Sequence, residues 1–434
     1  MSEWKKVKIG DIFAIEKGSL QSSKNTPGKY DFITAASEWK NHNSYDHDCE
    51  AIVYAVAASG SLGRAHYVNG KFIASDLCFI LTEKNKDKYP VNFLFYQIIF
   101  EMLRDEIVSK TKTGTSKESI NRGNFSNYEI PYFPIDFQLA NYQRFVDAKN
   151  TIKTLIDEYE KQKSYAKQLR QNILQEAIEG KLTADWRKQH PVQKGNPDYD
   201  AEALFEKIQA EKLETKSDKI QSPLFFNELQ IPETWRYPIL SNITKQITDG
   251  THLTPNYVEE GEVFLSAQNV KPFNFIPEIH RYVSKKDFDI YRNNRTPEKN
   301  DILMARVGAG IGEAVVIDND LQFAFYVSLC LIKSFPSLVD PRYLCIVLNS
   351  SYGTTYAKSN ISSSGSSAGN YNLGHIRALK IPLPPLAEQK EIVARVEQHL
   401  QTITQLETQI ATRETITKQL MQSILKDAFE EKNR

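Results

Sequence analysis

The chain is short of cysteine, of net charge and of long apolar runs. Four cysteines in 434 residues (Cys49, Cys78, Cys330 and Cys345) show no CxxC spacing. Their scatter argues against a disulfide framework or a zinc site and for buried free thiols in a reducing compartment. Lys and Arg number 54, as do Asp and Glu, so bulk electrostatics announces no nucleic acid; a DNA role would need local basic or polar clusters. No apolar run approaches the roughly 20 residues of a membrane span. The opening Met1-Ser2-Glu3-Trp4-Lys5-Lys6 lacks the apolar core of a signal peptide. The expectation is a cytoplasmic protein without a membrane partner.

Catalytic constellations are missing too. Asn196-Pro197-Asp198-Tyr199 resembles the amine-holding motif of amino-methyltransferases, but Gln193-Lys194-Gly195 precedes it instead of an apolar strand. Pro197-Asp198 with Glu214-Thr215-Lys216 fits the pattern of metal-dependent nucleases only formally, because both pieces sit in polar sequence and not on a rigid sheet. Gly308-Ala309-Gly310-Ile311-Gly312 matches neither G-x-G-x-x-G nor a P-loop, so a turn or a close backbone approach is expected there. The eight histidines do not cluster at ligand spacing. The chain by itself is expected to be no enzyme, with no catalytic residue and no metal site.

What the sequence does hold is a repeat at long range. Ile130-Pro131-Tyr132-Phe133-Pro134-Ile135 opens a helical run closing near Leu169 to Ala177; Ile381-Pro382-Leu383-Pro384-Pro385-Leu386 opens another closing near Leu420 to Ala428. An offset of about 250 residues exceeds any solenoid period, which is roughly 20–50. It implies two globular domains, each followed by one long helix, and hence pseudo-twofold symmetry and a partner with two related half-sites. The reading along the chain is a first domain over 1–135, a long helix in 136–190, a linker with a short helix (Glu202 to Lys216) in 191–231, a second domain over 232–385 and a second long helix in 386–434.

Each domain is α+β. Ala51 to Val56 and Asp301 to Val307 read as matching strands, followed by Ser59-Gly60-Ser61-Leu62-Gly63 and Gly308 to Gly312 and then by strands containing Leu77-Cys78 and Leu329-Cys330. Val91 to Val108 carries helical spacing. In the long helices, Phe145, Ala148, Ile152, Leu155, Tyr159, Leu169, Ile173 and Ala177 form one stripe. Ile392, Val396, Leu400, Ile403, Leu406, Ile410, Ile416, Leu420, Ile424 and Ala428 form the other. Narrow stripes with charged flanks predict that the two helices pair as a coiled coil.

These residues resemble the specificity subunit of type I restriction–modification systems over essentially the whole chain. The most specific parts are Ile381 to Gln389, Glu179-Gly180-Lys181-Leu182-Thr183-Ala184-Asp185-Trp186-Arg187, Pro232 to Trp235 and Asp249-Gly250-Thr251-His252. The first junction departs from the pattern: Phe133 to Phe137 replaces Pro-Leu-Pro-Pro-Leu, and Asn141-Tyr142-Gln143 stands near the expected Glu-Gln. The resemblance implies two target-recognition domains, each reading one half of a bipartite double-stranded DNA target, with the helices pairing antiparallel as the spacer. It also implies two copies of an adenine-N6 methyltransferase subunit as partners, binding S-adenosylmethionine. Motor and nuclease subunits can join; this chain itself takes no cofactor. The alternatives are the specificity subunit of a related enzyme with a fused methylase/nuclease partner, and a coiled-coil scaffold with no DNA role.

Phosphate and base contacts call for Lys, Arg, Ser, Thr, Asn and Gln on loops. In the first domain the candidates are Lys110, Lys112, Thr113, Thr115, Ser116, Lys117, Asn121 and Arg122, then Ser59, Ser61 and Arg64. In the second they are Thr251, His252, Gln268, Asn269, Arg306, Ser364, Ser366, Asn370 and Asn372.

Overall fold

Ala51-Ile52-Val53-Tyr54-Ala55 is apolar at every position, and all five residues are fully buried. A strand of that kind needs cover on both faces. The alternation supplies it: Ile52 and Tyr54 enter one core, while Ala51, Val53 and Ala55 enter another. Ile302 and Met304 face one core and Leu303 a different one in the same way. The computed structural model describes residues 5–58, 60–114, 118–212, 220–224, 228–362 and 369–430, with side chains left out at 362, 421–422 and 425–430. It divides into two units, one of residues 1–162 with 409–434 and one of residues 163–408.

In the first unit six strands form one sheet. Their order is Phe13–Lys17, Cys78–Glu83, His47–Ala55, Ala65–Ala74, Tyr30–Ile33, Lys40–His42. All neighbours are antiparallel except Tyr30–Ile33, which runs parallel to Ala65–Ala74. His47 pairs with Phe72 and Ala55 with Cys78, so the few residues from 72 to 78 span the length of the central strand. That closure requires a strongly curled sheet. Helices Phe93–Met102 and Arg104–Thr111 cover its outer face.

The second unit follows this plan with two sheets of four strands. One has the order Thr244–Asp249, Leu329–Ser334, Ile302–Ala305, Ala314–Val316, and the other Tyr257–Val258, Arg281–Val283, Glu262–Leu265, Ala324–Phe325. The counterpart of the unbroken Ala65–Ala74 is split here. Between Ala314–Val316 and Ala324–Phe325 lies Asp318-Asn319-Asp320, where the Asn319 carboxamide oxygen accepts from the Leu321 amide at 3.1 Å. Such a local side-chain bond competes with the ladder and turns the chain out of the sheet. The repeat is also offset by one residue from the Leu-Cys match: Cys78 pairs with Ala55, but Leu329, not Cys330, pairs with Ala305. The polar stretch 191–231 contains helix Ala201–Glu211, whose Leu204 and Ile208 are fully buried in the second unit's core.

The long helices are Ile135–Ile178 and Leu386–Glu430. In the first unit Tyr159 Oη lies 3.2 Å from Thr417 Oγ1, and Ile424 packs against the core that holds Phe145. In the second, the Arg170 guanidinium donates to Glu407 at 3.0 Å, and Ala177 and Ile178 share a core with Ile392 and Val396. Numbers rise on one helix as they fall on the other, so the pairing in each unit is antiparallel. The buried or half-buried stripe is a strict seven-residue repeat: Phe145, Ile152, Tyr159, Ala166 and Ile173 on one helix, Val396, Ile403, Ile410, Thr417 and Ile424 on the other. Four apolar residues assigned to the stripes from sequence, Leu169, Leu406, Ile416 and Leu420, are instead 46, 45, 57 and 47% exposed. Repeated steps of three (Leu400, Ile403, Leu406) or of four (Ile416, Leu420, Ile424, Ala428) drift off a seam whose period averages 3.5. The small Ala166 and polar Thr417 hold the seam where those larger residues were expected.

All four cysteines are free. Burial pushes the Cys78, Cys330 and Cys345 thiols up to about 12.

Candidate nucleic-acid interface

Each unit has a mouth where loops converge at the end of the curled sheet, and backbone bonds build both mouths alike. Gly63 N donates to Ala55 O at 2.8 Å and Gly312 N to Ala305 O at 2.9 Å. Ser75 N reaches Ile33 O at 2.9 Å and Tyr326 N reaches Leu265 O at 3.0 Å. Ser19 N reaches Ala74 O at 3.1 Å and Thr251 N reaches Phe325 O at 3.0 Å. Two pairs of glycines are fixed by contact. A Cβ on Gly18 would lie 2.1 Å from Ser75 O, and one on Gly250 would lie 2.2 Å from Phe325 O. Gly63 (φ +77°) and Gly312 (φ +89°) take the left-handed conformation against Val108 and Ala357. The glycine segments are thus turns and close approaches.

A hairpin flanks each mouth. Strands Lys112–Thr113 and Ser119–Ile120 make the first, held by Ile120 N donating to Val56 O at 2.8 Å. Ile361–Ser362 and Asn370–Tyr371 make the second, held by Tyr371 N donating to Arg306 O at 3.0 Å.

Several candidates from the sequence face outward here. Lys110 and Lys112 are exposed, with Lys112 paired to Glu118 at 2.7 Å, and Thr113 is exposed beside them. Ser61 is half-buried; its Oγ accepts from Arg64 at 3.4 Å, and Arg64 also holds Ala35 O at 2.8 Å. His252, Gln268 and Asn370 are exposed in the second unit, with His252 Nε2 2.9 Å from Asp249 Oδ2.

Other candidates serve the fold. Asn269 is fully buried, donating its amide to Ile276 O and Ile279 O and accepting from Ser266 N. Arg306, 3% exposed, binds Asp249 Oδ2 at 2.8 Å, Tyr371 O at 2.9 Å and Val327 O at 3.2 Å. Asn121 and Asn372 are helix N-caps, bonding Asn124 N and Gly374 N. Arg122 donates to Ile15 O at 2.5 Å, and the buried Thr251 hydroxyl accepts from Leu253 N at 3.1 Å. The residue types suit DNA and backbone capping equally, so composition alone does not separate the two uses. Ser59, Thr115, Ser116, Lys117, Ser364 and Ser366 lie outside the described residues.

The geometry adds residues that sequence reasoning missed. Lys17-Gly18-Ser19 is the counterpart of Asp249-Gly250-Thr251, and Lys17 and Ser19 are exposed. Trp39 is 40% exposed and donates to His66 Nδ1 at 3.2 Å. The second mouth holds a cleft of about 360 Å³ lined by Tyr257, Phe264, Ser266, Gln268, Arg281, Tyr326 and Ser328. The paired glycines Gly18 and Gly250 were the one signal that could have drawn attention to Lys17.

Three of the four motif segments that prompted the resemblance meet at one carboxylate. Glu388, 1% exposed, accepts from Thr183 Oγ1 at 2.8 Å, from the Arg187 guanidinium at 2.9 Å and from Trp235 Nε1 at 2.8 Å. Gly180, at φ +68°, ends the first long helix and brings the chain round to this cluster. The neighbouring Gln389, fully buried, accepts from Asp340 N at 2.9 Å and donates to Pro384 O at 3.0 Å. Its counterpart is Gln138, also fully buried, which accepts from Asn92 N at 2.6 Å and donates to Phe133 O at 2.7 Å. The displaced Glu-Gln of the first junction is therefore Phe137-Gln138; Gln143 only bonds Asp147 on the surface.

A family model described as the type I restriction modification DNA specificity domain matches residues 1–161 and 258–413. The type I restriction enzyme EcoDI specificity subunit of Escherichia coli is 21% identical over 441 residues, covering 98% of this chain and 88% of that one. The EcoBI specificity subunit of the same species is 23% identical over 354 residues, covering 80% of this chain and 66% of that one. A solved chain described under complex assembly and conformational transition of the type I R-M system shares the fold. Its TM-score is 0.62 at 15% identity, with 99 and 98% of the two chains covered. The repeated mouths, the paired long helices and a family match across most of the sequence place the chain in one family: it belongs to the type I restriction–modification DNA specificity domain family, as a specificity subunit of such a system.

Proposed function

We propose that each mouth reads one half of a bipartite DNA target and that the long helices set the gap between the halves. The observation that carries this is the pairing of matching backbone bonds at the two mouths with different exposed side chains. Two receptors of one geometry but unlike surface suit two half-sites of unlike sequence. In the first mouth the contacts fall to Lys17, Ser19, Lys110, Lys112 and Thr113, and in the second to His252, Gln268 and Asn370. Asn269 and Arg306 are left out because their polar groups are already bonded within the fold.

In this reading the chain contributes no catalytic group and no cofactor. Two copies of an adenine-N6 methyltransferase subunit, carrying S-adenosylmethionine, supply the chemistry, and restriction subunits join for cleavage. Among the described residues no helix is long and apolar enough to cross a membrane, in keeping with action on DNA in the cytoplasm.

The spacer role has a direct test. A helix of 44 residues is roughly 66 Å long at 1.5 Å per residue. Because the seam repeats every seven residues, one heptad added to both helices near Tyr159 and Thr417 preserves it. The addition lengthens each helix by about 10 Å, or about three base pairs at ~3.4 Å each. The expected methylome shows both half-site sequences unchanged and a longer unread spacer. An active variant that keeps the original spacer overturns the proposal.

A further inference from the structure

Seven arginines lie between Arg236 and Arg377, and six are engaged. Arg236 pairs with Glu202, Arg292 with Gln322, Arg295 with Gly250 O, Arg306 with Asp249, Arg342 with Asp340 and Arg377 with Ile247 O. Arg281 alone has neither a hydrogen bond nor an ion pair among the described residues. It is exposed, and its guanidinium stands over the Tyr257 ring at 4.5 Å.

That placement follows from strand register. Arg281 lies opposite Phe264, and Tyr257 opposite Val283, two residues further along the same strand. Side chains two apart share a face, so Arg281, Tyr257 and Phe264 line one side of the cleft, with Tyr257 and Phe264 rings 6.1 Å apart. Tyr326 continues this aromatic wall, and the exposed Gln268 stands on the rim. Stacking on an aromatic ring restrains the guanidinium while leaving its edge N–H groups open. A restrained fork of donors loses little entropy on meeting a pair of acceptors, and the major-groove edge of guanine offers such a pair in O6 and N7.

We infer that Arg281, held by Tyr257 in the cleft of the second mouth, reads a guanine in one half of the DNA target. This rests on the reading of the mouths as DNA-binding and names a base-contacting residue within one of them. A phosphate contact is the competing use of a free arginine, and it differs in consequence: it weakens all sequences alike and carries no base preference.

The test is position-by-position base preference, by selection from randomised duplexes, for the full chain assembled with its methyltransferase subunit. Wild type, Arg281→Ala, Arg281→Lys and Tyr257→Leu are compared, with assembly and thermal unfolding checked in parallel. The expected result is loss of discrimination at one G·C pair by roughly five- to 150-fold in both Arg281 variants, since lysine keeps the charge but not the fork. A smaller loss at the same pair is expected in Tyr257→Leu, and the other half-site stays unchanged. Uniform weakening in Arg281→Ala with preferences intact, or full preference in Arg281→Lys, makes Arg281 a phosphate contact and overturns the inference alone. A wild-type complex that selects no sequence overturns both the inference and the reading beneath it.

Discussion

The two units differ most where they face outward and least where the backbone closes the sheet. In one, Ala65–Ala74 runs unbroken for 10 residues and the sheet is single. In the other, the same path breaks at Asp318 to Asp320 and the strands divide into two sheets. Yet Ala55 and Ala305, Gly63 and Gly312, and Gln138 and Gln389 make matching bonds within a few tenths of an ångström. The comparison teaches that the conserved geometry of the repeat is a frame of backbone bonds, and that the surface it carries is free to differ. A buried carboxylate marks a second difference: Glu388 anchors the helix start in one unit, whereas its counterpart Phe137 stacks on Phe133 at 5.0 Å.

That asymmetry gives the largest expected effect. Glu388→Ala removes the partner of Arg187, Thr183 and Trp235 at once. Breaking a buried ion pair by deleting one member costs about 3–5 kcal/mol. Phe137→Ala, at a half-buried ring, should cost less in the same thermal or denaturant unfolding series. Equal losses would mean that the carboxylate cluster adds nothing beyond packing.

The glycines sharpen the similarity between the units. Gly60→Ala and Gly308→Ala place a Cβ in open space at φ near +80° and +88°. They should cost roughly 1–2 kcal/mol for the left-handed backbone alone. At Gly63 and Gly312 the Cβ also meets Val108 at 2.6 Å and Ala357 at 2.8 Å, adding roughly 1–3 kcal/mol of overpacking. Denaturant midpoints for the four variants should fall into two pairs. A split by unit instead of by position would break the equivalence of the frames.

The smallest effect, at Gln143, tests the hidden counterpart. Gln138→Ala and Gln389→Ala each leave a helix-capping residue's amide, at Asn92 or Asp340, without its acceptor. Each should cost about 1–3 kcal/mol, and by similar amounts, while Gln143→Ala should change stability little. A large loss at Gln143 would restore it as the counterpart.

The sequence by itself determined the duplication, the two long helices and the family, because each is written in local pattern: apolar period, proline and glycine positions, and motif residues in fixed order. It also determined that Gly308 to Gly312 is a turn, since no phosphate-binding spacing accompanies it. Only the tertiary structure decided which polar residues are free to bind. Asn269, Arg306, Asn121 and Asn372 look like DNA contacts in one dimension, but Arg306 is bonded to Tyr371 O, 65 positions away, Asn269 to loop carbonyls, and Asn121 and Asn372 to the first amides of the helices they cap. The helix seam was decided the same way. Leu406, Ile416 and Leu420 are more apolar than Thr417, yet Thr417 is buried, because a paired helix buries whichever residue its seven-residue register turns inward. Gln138 stayed hidden for a related reason: its role depends on reaching Asn92 N, 46 positions earlier in the chain, and no local pattern records a bond of that span.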